Sequence, residues 1–146
     1  MRQINPRCNV ITYPFFIDDR SIDEMAIDYD FIVEATDNVE SRYRVNDSCV
    51  RLGKPFCIGG VSHYSGQVLI CEQGSTSYRD VFPHGVVAEE RPLPILSPVV
   101  GMLGTIMATE IVKYLIGIGN PLVNRMLTFD AFAMTFNVFD ITKQLI

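Results

Sequence analysis

An α/β fold built on a mixed parallel and antiparallel sheet is the architecture this sequence predicts, and three observations carry it. Residues 30–36, Asp30-Phe31-Ile32-Val33-Glu34-Ala35-Thr36, form a brief apolar run of the kind that fills a buried parallel strand. That run leads straight into a helix-length segment, residues 39–52, in which Val39, Tyr43, Cys49 and Val50 fall on one face at helical spacing. Beyond it, residues 56–61 and 67–72 read as two strands joined through the turn-like set His63-Tyr64-Ser65-Gly66. Strand, helix, strand and hairpin in that order require both strand orientations in one sheet.

The remaining elements follow in chain order. Residues 9–16 are rich in β-branched and aromatic side chains and end at Asp18-Asp19, which predicts a short strand entering a turn. A short helix is expected over residues 21–27. Gly53 supplies a stop for the helix at 39–52, and Pro55 forbids its continuation. From residue 73 to 94 neither period of 2 nor of 3.6 is present, so residues 73–96 are expected to form a working crossover loop rather than a spacer. Ser97 is placed to cap the next helix, with Pro98 at its first position. This helix is apolar nearly all round and carries Gly101 and Gly104, which predicts a buried element in close backbone contact with its neighbours. Two last strands are expected at 125–130 and 134–141. No repeat or low-complexity stretch interrupts the chain, so residues 1–146 count as one domain. It is expected to be partial: no G-x-G-x-x-G occurs, and a sheet of this kind rarely opens on a polar Arg-Gln-Ile-Asn-Pro fragment.

Composition narrows the function classes. With 48% hydrophobic residues the chain has ample material for a core, and a net charge of −5 without a cluster of Lys or Arg gives no attraction to a nucleic-acid backbone. Cys8, Cys49, Cys57 and Cys71 show neither C-x-x-C pairs nor the dense spacing of a disulfide framework, and they read as reduced thiols, mostly in the core. The N-terminal residues lack the apolar stretch of a secretory signal. Residues 97–117 mimic a membrane span, but Glu110 and Lys113 interrupt them. A cytoplasmic protein with neither a membrane nor a nucleic acid as partner is the expectation.

Chemistry concentrates at Ala35-Thr36-Asp37-Asn38-Val39-Glu40-Ser41-Arg42, where a buried strand gives way to a helix. Open α/β sheets bind their ligands at that carboxyl edge. A carboxylate such as Asp37 can hold a magnesium ion alongside phosphate oxygens, and Asn38 and Arg42 can bond a phosphate or a carboxylate. The competing reading needs no ligand: Asp37 with Glu40 makes a D-x-x-E capping pattern. Elsewhere, His63 and His84 read as solvated turn residues. Arg79 reads as an anchor of the crossover to a carboxylate or as a surface ion pair, and Met102, Met107 and Tyr114 as core.

Asp37-Asn38-x-x-x-Arg42-x-x-x-Asn46, followed by Cys49, resembles the T-D-N-x-x-x-R-x-x-x-N signature of the ThiF/MoeB/HesA adenylyltransferases, relatives of the ubiquitin-activating enzymes. Ser65-Gly66-Gln67-Val68 is similar to that family's G-Q hairpin strand, and Ser77-Tyr78-Arg79-Asp80-Val81-Phe82-Pro83 to its C-Y-R-C-L-F-P turn. Ser97-Pro98-Val99-Val100-Gly101-x-x-Gly104 resembles its G-P-x-x-G-x-x-G helix start, Ala108-Thr109-Glu110-Ile111-Val112-Lys113 its A-x-E-x-x-K, and Phe129-Asp130-Ala131 its Y-D-A strand. The resemblance implies the C-terminal portion of a Rossmann-like fold. It also implies ATP-dependent adenylation of the C-terminal glycine carboxylate of a small ubiquitin-like sulfur carrier ending in Gly-Gly, and a homodimer. By the same resemblance Asp37 is the magnesium carboxylate, Asn38 lies beside the nucleotide and Arg42 guides the incoming tail. The glycine loop and the remaining phosphate ligands then belong to an upstream half, and the isolated chain is expected to be inactive.

Two departures qualify the match. Ser77 and Asp80 stand where many relatives have the first of two zinc-binding C-x-x-C pairs, and no such pair follows Asp130, so no zinc site is expected. The cysteine that some relatives place before the G-P-x-x-G helix is replaced near Glu90, which argues against thioester chemistry from the crossover. A non-catalytic module that docks a β-grasp protein or a partner subunit is the competing function.

Overall fold

The computed structural model describes residues 3–83 and 94–142. Five strands form one sheet in the order β1 (Ile32–Glu34), β2 (Phe56–Ser62), β3 (Ser65–Cys71), β4 (Arg125–Asp130), β5 (Thr135–Asp140). β1 and β2 run parallel and every other neighbouring pair is antiparallel, the mixed sheet that the order of elements predicts. The parallel connection is made by α2 (Val39–Leu52), which ends as expected at Gly53 in the left-handed conformation, φ 65°. The hairpin is tighter than its composition suggests. Ser65 and Gly66 are in β3, leaving only His63 and Tyr64 in the turn, which His63 closes in the left-handed conformation, φ 55°; Gly66 lets the Phe129 ring of β4 lie where a side chain would stand.

Alternate residues of the central strands feed two cores. Phe56, Ile58, Leu69 and Cys71 face α1 (Asp19–Ala26), α2 and the short α3 (Tyr78–Val81), with Ile22, Tyr43, Val45, Cys49 and Tyr78 filling that side. Cys57, Val68 and Ile70 face α4 (Ser97–Ile116), where Val99, Leu103, Met107, Leu122 and Phe129 complete the second core. Gly59 belongs to this side too: a Cβ there would sit 2.5 Å from the Met107 sulfur, so the missing side chain lets α4 approach the sheet.

Several expectations fail, each for a physical reason. Residues 9–16 form no strand: Ile11, Tyr13, Phe15 and Phe16 are exposed, and no described segment lies alongside to complete a ladder. α3 appears inside the stretch read as patternless, started by a reciprocal cap in which Ser77 and Asp80 each bond the other's backbone. The remainder of the 73–96 crossover, including residues 84–93, lies outside the described residues. Ser97 does not cap α4; it is already helical, and Leu96 occupies the cap without a side-chain bond. Nor is α4 enclosed on all sides. Only Val99, Leu103, Met107 and Glu110 are buried on it, and among the described residues nothing lies within 4 Å of a Cβ at Gly101 or Gly104. By length and composition α4 is apolar enough to cross a membrane, but Glu110 ties it to the chain beneath by accepting from the Leu122 amide at 3.0 Å, while Lys113 of the same helix answers its charge at 2.5 Å.

Candidate functional site

β1 ends at Glu34, and the chain passes through Ala35, Thr36 and Asp37 before entering α2 at Asn38. Asn38 is extended, φ −132° and ψ 145°, and its Oδ1 accepts from the Ser41 amide at 2.8 Å, so Asn38 is the cap of α2. The D-x-x-E capping pattern of Asp37 and Glu40 therefore does not form; Glu40 instead accepts from Arg44 at 2.6 Å. Asp37 is exposed and makes no hydrogen bond or ion pair among the described residues. A carboxylate left unoccupied by the fold is available to a ligand. Replacing Asn38 by alanine is expected to cost about 1 kcal/mol, the usual loss for an N-cap, measured from the denaturant midpoint at fixed slope.

One turn along α2, the Arg42 guanidinium turns back over the end of β1. Its Nε stands 3.5 Å from Oε2 of Glu34, its Nη2 donates to the Thr36 carbonyl at 3.3 Å, and its Nη1 would lie 2.7 Å from a Cβ on Gly60. Gln67, which pairs with Gly60 across the β2–β3 ladder, brings its amide nitrogen to 3.4 Å from the same point. Gly60 thus forms a floor bordered by Arg42 and Gln67. Arg42 is 17% exposed and the Glu34 side chain 0%. Oε1 of Glu34 accepts from the Thr36 amide at 2.7 Å and from its hydroxyl at 2.5 Å. Burial pushes the Glu34 carboxyl above its ordinary value, against the opposing pull of the Thr36 bonds and of Arg42. Glu34 is the member of this cluster that the motif reading passed over, taking it as one residue of a strand. The available signal was a carboxylate inside an apolar run, which requires a partner.

The other singled-out residues have structural work. Arg79 forks onto the Asp47 carboxylate, with Nε at 2.8 Å, while its guanidinium carbon lies 4.4 Å from the centre of the Tyr43 ring. Tyr43 in turn donates to the Phe82 carbonyl at 2.6 Å, and the buried Asn46 accepts from the Arg79 amide at 3.4 Å, so the Asn46 of the signature clamps α3 onto α2. The Ser77 hydroxyl donates to Asp80 at 2.8 Å. Among the described residues no three His, Cys, Asp or Glu side chains come together as metal ligands. His63 is exposed in the hairpin turn with Nδ1 2.9 Å from the Ser62 hydroxyl; His84 lies outside the described residues, as does residue 90. Cys49, Cys57 and Cys71 are buried, which pushes their thiols up to about 12 and makes them poor nucleophiles.

The family model described as ThiF family matches residues 1–145. The chain belongs to the ThiF family. Among relatives of this ThiF-family chain, the sulfur carrier protein adenylyltransferase of Thermus thermophilus is 31% identical over 98% of the chain and 56% of its own length. The maize adenylyltransferase and sulfurtransferase MOCS3-1 is 37% identical over 94% of the chain and 30% of its own length. Among solved structures, Escherichia coli MccB with selenomethionine MccA superposes with a TM-score of 0.82 at 14% identity, over 99% of the chain and 46% of MccB, which shows a shared fold. The ThiF-family chain therefore spans 30% to 56% of the length of these two relatives.

Proposed function

We propose that the protein carrying this chain uses ATP and magnesium to adenylate the C-terminal glycine carboxylate of a small ubiquitin-like sulfur carrier ending in Gly-Gly. The observation that carries this reading is the pairing of an uncommitted carboxylate, Asp37, with a guanidinium, Arg42, at the carboxyl end of the parallel strands. The names of the relatives support it: sulfur carrier protein adenylyltransferase and probable molybdopterin-synthase adenylyltransferase. MccB, which shares the fold, has been solved with ATP.

A terminal carboxylate is already ionised and nucleophilic at neutral pH, so the reaction requires no general base. The carrier oxygen attacks the α-phosphorus, the bond to the β-phosphate oxygen breaks, and pyrophosphate leaves. Magnesium, when bound, neutralises charge on the phosphates. Asp37 fits as the single carboxylate that a phosphate-bound magnesium needs, since it is exposed and engaged by no other group among the described residues. Asn38 spends Oδ1 on the helix cap, and its amide nitrogen is the group that would meet the nucleotide. Arg42 presents its fork to the carrier tail and aligns it for attack. The chain holds no G-x-G-x-x-G, so the amides that cradle the phosphates are assigned to the rest of the protein.

By this reading the 146-residue chain alone binds no Mg-ATP at micromolar levels, which titration calorimetry checks; tight binding would move the nucleotide site into this chain. We place the whole protein in the cytoplasm as a homodimer. Buried free thiols suit a reducing compartment, and the exposed apolar faces of α4 and β5 (Val112, Leu115, Phe136, Val138) suit association. The function itself is tested by exchange of labelled pyrophosphate into ATP. Exchange that depends on a Gly-Gly carrier is expected; binding of the carrier without exchange would leave a non-catalytic docking module.

A further inference from the structure

We propose that Glu34 is a positioning residue: its buried carboxylate, together with the space left by Gly60, fixes where the Arg42 guanidinium stands and so how the protein receives the carboxylate tail of its substrate. This rests on the reading of Arg42 given above and extends it to two residues on different strands.

Three features of the cluster carry the inference. The Glu34 side chain is fully enclosed, a costly place for a carboxylate unless a cation answers it, and Arg42 is the cation beside it. The division of bonds is lopsided. Oε1 takes both Thr36 donors, whereas Oε2 and the Arg42 Nε are buried atoms with no hydrogen-bond partner among the described residues, and they face each other at 3.5 Å. Glu34 therefore holds the inner edge of the guanidinium by charge. The third feature is Gly60, over which Nη1 lies so closely that a methyl group would meet it at 2.7 Å. The atom to be displaced is the far end of a flexible side chain, so a methyl there moves Arg42 and spares the strand. Glu34 draws the guanidinium inward, the Thr36 carbonyl orients Nη2, and Gly60 gives room for Nη1. The 17% of the Arg42 side chain that stays exposed is where the incoming tail would meet it.

The test uses pyrophosphate exchange by the protein that carries this chain, with the carrier concentration varied. Glu34→Gln keeps the shape and an acceptor for Thr36 but removes the charge; Gly60→Ala displaces Arg42 without touching Glu34. Each is expected to raise the KM for carrier by about tenfold, as for loss of a placed charge, with a smaller change in kcat and none in the KM for ATP. Both effects are expected to vanish in an Arg42→Ala background, where no guanidinium remains to be placed. A merely structural role for Glu34 gives no such dependence. If Glu34→Gln does not fold, Glu34→Asp keeps the charge but withdraws it by one methylene and carries the same expected non-additivity. Should Arg42→Ala raise the KM while Glu34 and Gly60 variants leave it unchanged, or add to it in full, the positioning role is overturned and the reading of Arg42 stands. Should Arg42→Ala itself leave the carrier KM unchanged, the reading of Arg42 fails and the positioning role fails with it.

Discussion

Asp37→Asn in the protein that carries this chain is expected to lower carrier-dependent pyrophosphate exchange by about a hundredfold or more, the scale of losing a charge-stabilising group from a phosphoryl-transfer site. Its folding stability is expected to change by less than about 0.5 kcal/mol, because surface changes away from caps and cores rarely exceed that. The second half of this expectation comes from the structure. Asp37 is exposed and bonds nothing among the described residues, and the cap of α2 is made by Asn38. Loss of activity therefore cannot be traced to a frayed helix. Exchange kinetics and a denaturation curve on the same preparation check both halves; retained activity would remove Asp37 from the magnesium role.

Glu110→Ala is expected to act in the opposite sense, unfolding the protein more readily by about 2–4 kcal/mol, in line with breaking a largely buried, hydrogen-bonded charge pair. Oε1 of Glu110 accepts from Lys113 at 2.5 Å and Oε2 from the Leu122 amide at 3.0 Å, so alanine strands an ammonium and a backbone donor together. Glu110→Gln, which keeps acceptance from Leu122, is expected to cost less. Urea midpoints compared at equal slope decide this. The result bears on how the A-x-E-x-x-K motif is understood: its Glu fastens α4 to the loop before β4 through the Leu122 amide, and its Lys answers the charge of that Glu from within the helix.

Where local chemistry determines an element, the sequence is readable. α2 stops at Gly53 because the chain needs a left-handed residue there and Pro55 follows, and both are visible in one dimension. What depends on neighbours is hidden. Residues 9–16 have the composition of a strand, but a strand exists only with a partner to complete its hydrogen bonds. α4 looks buried from its residue types, yet only the row Val99, Leu103, Met107 and Glu110 is fully buried, with Met102, Ile106, Ile111 and Tyr114 packed at its margins. The same division holds at the site. Asp37, Asn38 and Arg42 stand out as a motif, whereas their environment does not. Capping by Asn38 rather than Asp37 is a matter of one backbone conformation. The Glu34–Arg42 pair joins a strand to a helix across a loop, and Gly60 contributes by having no side chain. The Asn46 of the motif is likewise spent on holding α3 through the Arg79 amide, a role that spacing alone does not reveal.

Mass spectrometry of the carrier after incubation with ATP, magnesium and the protein that carries this chain tests the central claim most directly. The account predicts an AMP adduct on the terminal glycine carboxylate, lost when the last glycine is deleted and lost again with Asp37→Asn. A carrier that binds the protein yet stays unmodified under the same conditions would contradict it.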